Sequence, residues 1–317
     1  MQRRHLLLAL KAAISLGLLV WLFARVDLNS VLDRLATIDS RWLVAALFLL
    51  AIGYILCGLR WAWMAQGLGL KVSRNRKIRL YFLGMFASLF LPSTIGGDVV
   101  RGILLAKGEG RSGIGGRAAA SVVLDRVNGL FALTLMVTLC MLPFSWPPLW
   151  WLAWLALTLG MWGSLVVYPL LHRQLIPRLP FGLSRLAELP LLTAEFRRAW
   201  WKSMPVSLLF QAIIVQAHWC LGMAVGLDLD WTAYAVMVGM VGLLAILPIS
   251  LNGFGVREAG YVGFAALFGG SPEAAAAMAA LWVIVLVLAS LPGGYVLWQL
   301  GGRKELEAEP EVARDGA

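Results

Sequence analysis

Two short segments hold most of the residues able to do chemistry in an otherwise apolar chain. The first reads Leu91-Pro92-Ser93-Thr94-Ile95-Gly96-Gly97-Asp98-Val99-Val100-Arg101. The second reads Leu247-Pro248-Ile249-Ser250-Leu251-Asn252-Gly253-Phe254-Gly255-Val256-Arg257-Glu258. Both open Leu-Pro, both continue into glycines, and both place Arg nine residues after Pro. Each also carries one acid: Asp98 lies three residues before its Arg, whereas Glu258 directly follows its Arg. The shared spacing suggests an internal repeat.

The chemistry of such a segment is that of an anion site. Pro stops an incoming helix by removing a donor and clashing with the preceding turn. The turn residues Gly96, Gly97, Asn252, Gly253 and Gly255 let the chain reverse and leave backbone amides exposed. The next half-helix then starts with free N–H groups at its positive dipole end, which suits a lipid phosphate. Arg101 and Arg257 would add bidentate phosphate donors, with Asp98 and Glu258 as orienting or proton-linked partners. The competing account makes Arg101–Asp98 and Arg257–Glu258 paired charges that stabilise helix ends at a membrane surface. An ionisable group at depth costs at least about 2.5–3.5 kcal/mol on insertion scales, so four of them call for an explanation. Asp125 and Arg126, set inside another apolar block, either snorkel or line the same path.

The elements that must position these motifs are transmembrane helices. The chain is 60% hydrophobic and 14% charged, against roughly 25% charged in soluble domains. Its apolar residues come in uncharged blocks of about the 20 residues that a bilayer core requires. The net charge of +10 is spread through loops between these blocks, which fits membrane orientation and excludes nucleic acid as the expected partner. Cys57, Cys140 and Cys220 each lie inside an apolar block without metal-ligand spacing and are expected to pack as small apolar residues.

The fold expected is an all-α integral membrane protein. Six full spans are predicted near residues 6–24, 42–66, 118–142, 149–171, 204–226 and 274–300. The segments 78–106 and 232–270 are predicted as two broken, re-entrant helical pairs, arranged as a possible inverted repeat. Residues 1–302 would form one polytopic domain, with 303–317 a disordered cytoplasmic tail. Residues 71–79 carry five basic side chains and 172–202 carry six, whereas loops 143–148 and 227–231 carry none. By the positive-inside rule both termini are cytoplasmic, and the two broken segments enter from opposite faces to meet near mid-membrane. Two complete short spans in 232–270 also fit the lengths. Segment 172–202, with Trp200-Trp201, reads as a loop carrying an interfacial helix, and Arg60, beside Trp61, as an interface anchor. Gln211 and His218, seven residues apart on one helix face, are expected to form interhelical hydrogen bonds.

At these residues the chain resembles the lysylphosphatidylglycerol synthase transmembrane-region family, also described as flippase-like domain proteins. The likeness rests on Leu-Pro-x3-Gly-Gly-Asp-x2-Arg at 91–101, on Asp125-Arg126-x2-Gly129 and on Gly-Phe-Gly-Val-Arg-Glu at 253–258, with Arg60-Trp61 weaker. It implies a membrane-embedded domain, multi-pass in a bacterial inner membrane, linked to moving aminoacylated lipid across the bilayer. The bifunctional lysyl-lipid synthases carry a separate soluble transferase after the membrane part, whereas 17 residues follow Leu300 here. The expectation is a non-enzyme without cofactor or metal that binds and translocates an anionic or aminoacylated phospholipid, or another lipid-linked substrate. No Walker loop, GxSxG or HExxH occurs, so an ion gradient or the lipid gradient itself would have to drive transport. The rival readings are an intramembrane transferase on a lipid-linked donor, and a non-catalytic partner of a soluble transferase.

Overall fold

The computed structural model describes residues 13–21, 24, 26–91, 95–110, 113–172, 188–247, 250 and 253–302. Among them the chain is all helical, without a strand. Helix α1 comprises residues 13–21. There follow α2 (Leu28–Ala36), α3 (Ser40–Gly67), α4 (Arg74–Phe90), α5 (Gly96–Glu109) and α6 (Gly115–Met141). Then come α7 (Pro148–Leu171), α8 (Ala194–Val225), α9 (Trp231–Ile246), α10 (Val256–Leu267) and α11 (Pro272–Gly302).

Helices α3, α6, α7, α8 and α11 are each long and apolar enough to cross a membrane. They coincide with five of the six expected spans. The sixth, 6–24, is described only at residues 13–21 and 24. The start of α8 differs from expectation. Residues 194–202 are the first turns of α8 itself rather than a separate interfacial helix, and 173–187 lie outside the described residues. Pro205 sits inside α8 without ending it, since in a membrane helix neighbouring groups re-satisfy the one backbone bond that Pro removes.

The two broken segments are indeed broken. Helices α4 and α5 have 17 and 14 residues, and α9 and α10 have 16 and 12. At 1.5 Å per residue these are about 25, 21, 24 and 18 Å long, each short of the roughly 30 Å hydrocarbon thickness. Pro92, Ser93, Thr94, Pro248, Ile249, Leu251 and Asn252 lie outside the described residues, as does the tail 303–317.

The described residues fall into two compact units, one drawn from Met1–Ile55, Phe82–Val100 and Ala212–Gln299, the other from Leu56–Tyr81, Arg101–Gln211 and Leu300–Ala317. In the first unit helices meet where a side chain is missing. A Cβ on Gly97 would fall onto the Gly84 carbonyl and Ser88 Oγ, which presses α5 against α4. Gly293 is seated in the same way on the Phe82 carbonyl, and a Cβ on Gly260 would reach Val241 at 2.8 Å. Lipid tails are as apolar as leucine, so close backbone approach at small residues is what holds such helices together.

In the second unit α6 is the interior helix and α7 the peripheral one: 56% of the α6 span is buried but only 11% of the α7 span. Phe131 of α6 stacks edge-on against Trp162 of α7 and Trp200 of α8, at 5.3 and 5.6 Å between centroids. The turn between α3 and α4 is tied down by charges. Glu109 Oε1 accepts the Val72 N–H at 2.7 Å, and Lys77 Nζ donates to the Leu70 carbonyl at 2.9 Å. Cys57, Cys140 and Cys220 are buried free thiols that pack in the helical core.

Two outcomes are expected. Gly97→Ala should destabilise the detergent-solubilised protein by about 3 kcal/mol, because its methyl meets backbone rather than a yielding side chain. Gly263→Ala, with open space around it, should be neutral or stabilising by up to roughly 1 kcal/mol; equal losses of thermal stability at both sites would refute the packing argument. Burial pushes the Lys77 ammonium down to about 8, with Glu109 pulling the other way. Its folded value lies below its unfolded one, so the cost of the charged form is present in full below about pH 8 and is relieved as pH rises further. Wild type should therefore gain in melting temperature on Lys77→Met between about pH 7 and about pH 9.5.

Candidate functional site

Helix α6 carries a polar stripe on its buried face. Ser121, Asp125 and Asn128 stand at i, i+4 and i+7, so they share one face of a 3.6-residue helix, and they are 0%, 1% and 0% exposed. Asp125 lies ten residues into α6, about 15 Å from its start. That is bilayer-core depth when the start of α6 sits at the membrane surface. A carboxylate there must find cationic partners.

It finds two. Arg60 Nε of α3 donates to Asp125 Oδ1 at 2.8 Å, and Arg101 Nη2 of α5 donates to Oδ2 at 3.1 Å. Arg60 is 5% and Arg101 3% exposed. Arg60 Nη1 also donates to Ser207 Oγ of α8 at 3.0 Å, and that hydroxyl donates on to Asn128 Oδ1 at 2.6 Å. Asn128 Nδ2 closes the chain on the Trp200 carbonyl at 3.3 Å. The Arg101 guanidinium lies 4.6 Å from the Trp61 ring centroid and 4.8 Å from that of Tyr81, faces that attract a desolvated cation. Trp61 is fixed in turn by its Nε1–H on Ser121 Oγ at 3.1 Å.

The first motif thus delivers Arg101 to the carboxylate of Asp125. Asp98 lies one turn earlier on α5 and is 8% exposed. Gly96 and Gly97 open α5, where Gly97 makes the close approach to α4. Asp125 and Arg126, adjacent in sequence, separate in space: Asp125 turns inward and Arg126 is exposed. Arg60 is a buried ion-pair partner rather than an interface anchor.

The second motif is built differently. Gly253 and Gly255 have φ of 80° and 81°, a region that side-chain-bearing residues avoid. The Glu258 carboxylate folds back to accept the Gly255 N–H at 2.6 Å, the reciprocal half of a helix cap. Arg257 is half-buried, with Nη2 3.1 Å from the place a Cβ on Gly253 would occupy. Asn252 lies outside the described residues. Further along α10, Tyr261 Oη lies 2.8 Å from His218 Nε2 of α8. His218 Nδ1 is 2.8 Å from the Ile214 carbonyl, an acceptor only, so Nδ1 carries the proton and Tyr261 donates to Nε2. Gln211 Nε2 donates to the Gly129 carbonyl of α6 at 3.1 Å. Gln211 and His218 thus form interhelical hydrogen bonds to different helices.

Sequence reasoning did not assign Ser207, Asn128, Trp61 and Tyr81 to this network. The signal for the first two was present: polar residues at i, i+4, i+7 on α6 and Ser203-x3-Ser207 on α8 repeat at helical spacing inside apolar segments. For Trp61 and Tyr81 there was none, because an aromatic residue near a helix end reads equally well as a membrane-interface anchor. No cluster of three metal-ligating side chains occurs among the described residues.

The model of the family described as Lysylphosphatidylglycerol synthase TM region matches residues 8–293, and so covers both broken motifs and the Asp125 network. No curated protein sequence matches the chain.

Asp125→Ala leaves two buried guanidinium groups without this carboxylate and should cost about 3–5 kcal/mol. Arg126→Ala, one residue away on the exposed face, should change stability by roughly 0.5 kcal/mol. Denaturation of both variants in one detergent checks this; comparable losses would sink the assignment of Asp125 as the hub.

Proposed function

The chain belongs to the lysylphosphatidylglycerol synthase transmembrane-region family, and from that premise we propose that it binds the phosphate-bearing headgroup of a membrane lipid and carries that lipid across the bilayer. The observation that carries this reading is the sharing of the Asp125 carboxylate by Arg60 and Arg101 inside the helical core. A guanidinium edge that holds a carboxylate also fits a phosphate, whose oxygens present the same paired acceptors. A phosphate arriving at Arg101 competes with Asp125 for that edge, and Trp61 and Tyr81 hold the guanidinium in place while its anion is exchanged. Asp125 takes the arginine back when the lipid leaves, so the empty protein never exposes an uncompensated cation to the hydrocarbon.

Arg257 is the second anion ligand. Glu258 is committed to the Gly255 amide, so Arg257 meets the headgroup beside the amides that open α10, and Gly253 leaves the room. Asp98 tunes Arg101 from one turn away. The short helices of each broken pair turn back within the bilayer as re-entrant hairpins, which places irregular backbone where it borders protein or a wet cavity. Both termini face the cytoplasm, the side on which the basic loops lie.

Proteoliposomes holding a fluorescent phospholipid test the proposal through the dithionite-accessible fraction over time. Wild type should equilibrate the label between leaflets, and Arg101→Ala and Arg257→Ala should each slow exchange by roughly tenfold or more, the loss of one charge-assisted phosphate contact of about 1.5–3 kcal/mol. Mass spectrometry of the same lipid should find it chemically unchanged. Exchange at the wild-type rate in both variants defeats the assignment, and a covalently altered lipid replaces transport by transfer chemistry.

A further inference from the structure

Several helix ends of the second unit come together at one end of it. A Cβ on Gly67, the last residue of α3, would lie 3.1 Å from Phe196 Cα and 2.9 Å from Ala199 Cβ in the first turns of α8. One on Gly69 would lie 3.3 Å from Arg117 Nη1 at the start of α6. Glu109 ends α5 by holding the Val72 amide of the α3–α4 turn. The exposed side chains that these ends present are Lys71, Arg74, Lys107, Arg117, Arg197 and Arg198. The exposed acid beside them on α8 is Glu195, while Glu109 is buried. The rim is therefore strongly basic, beyond what one loop requires for orientation.

The chain carries its complement. Residues 305–311 read Glu-Leu-Glu-Ala-Glu-Pro-Glu, four acids and no base. The acids recur at every second position, a density of negative charge that matches the six basic side chains of the rim. Leu300, at the end of the helix that leads into this stretch, belongs to the same compact unit as the rim. The three to nine residues that separate Gly302 from the four acids reach about 10–30 Å when extended. That covers the width of a few packed helices.

We propose that the acidic stretch Glu305–Glu311 docks on the basic rim formed by Lys71, Arg74, Lys107, Arg117, Arg197 and Arg198, occupying a surface that would otherwise hold anionic headgroups of the bilayer. The contact is a set of exposed ion pairs, so it is reversible and weakens with salt. It makes the rim's availability depend on the tail.

The test uses the whole chain in nanodiscs of uncharged-headgroup lipid at low salt. Zero-length carbodiimide coupling should join tail glutamates to Lys71 or Lys107, read by peptide mass spectrometry, and about 1 M salt should abolish it. In the fourfold variant E305Q/E307Q/E309Q/E311Q, whose substitutions leave the membrane helices untouched, acetylation of Lys71 and Lys107 should run roughly fivefold faster than in wild type. Absent crosslinks with unchanged acetylation would overturn the proposal. So would protection of the two lysines that appears only with anionic lipid and persists in the fourfold variant, which assigns the rim to the bilayer.

Discussion

The carboxylate of Asp125 is the group on which the arrangement of the second unit depends. Arginine is rare in a bilayer core because its desolvation is expensive. Here Arg60 and Arg101 come from different helices and meet on the same side chain of a third. The geometry works because the two guanidinium groups use different oxygens, Oδ1 and Oδ2, so neither displaces the other. The remaining donors of Arg60 then pull in Ser207 and, through it, Asn128. One acid thereby fixes the mutual register of α3, α5, α6 and α8, which apolar packing alone leaves loosely specified in a membrane.

The glycines work in the opposite sense, by absence. Where Gly97 faces the Gly84 carbonyl and Gly293 faces that of Phe82, dispersion between backbones does what the hydrophobic effect does in water. Polar register in one unit and small-residue contact in the other answer the same need, since helices inserted in lipid gain little from burying more leucine. The short helices α4, α5, α9 and α10 depend most on such contacts. In the re-entrant arrangement proposed above, their ends interrupt the backbone hydrogen-bond ladder within the bilayer, where only well-packed neighbours make that tolerable.

Much of this was legible in the sequence. Long uncharged blocks gave the five spans, because length against bilayer thickness is a nearly one-dimensional criterion. The breaks at 91–95 and 247–255 followed from Pro and Gly, whose effects are local. Which charge meets which was hidden, because pairing across 65 residues, as for Arg60 and Asp125, is set by how helices pack. Proximity in sequence misled in two places: Arg126 was grouped with Asp125, and Arg60 with the membrane interface. Helical periodicity corrects the first, since adjacent residues on a helix point about 100° apart. The continuation of α8 back to Ala194 escaped prediction because basic residues and Pro205 look like a boundary whether or not the helix runs through them.

The two motifs share a Pro-to-Arg spacing yet end in different chemistry, and the point at which each helix begins relative to its arginine explains the difference. In the first motif Asp98 is the third residue of α5, and Arg101, one turn further into the helix, runs on to Asp125. In the second, Glu258 is the third residue of α10, where a carboxylate reaches back to the amide that opens the helix. That acid is consumed by the turn, and its glycines take positive φ to make the turn possible. Starting the helix one residue before the arginine instead of five turns a helix that delivers its charge inward into one that keeps its charge beside its own N-terminus. A repeated spacing is in this respect a repeated scaffold, with the start of the helix deciding whether the arginine is buried or held half-buried at the helix start.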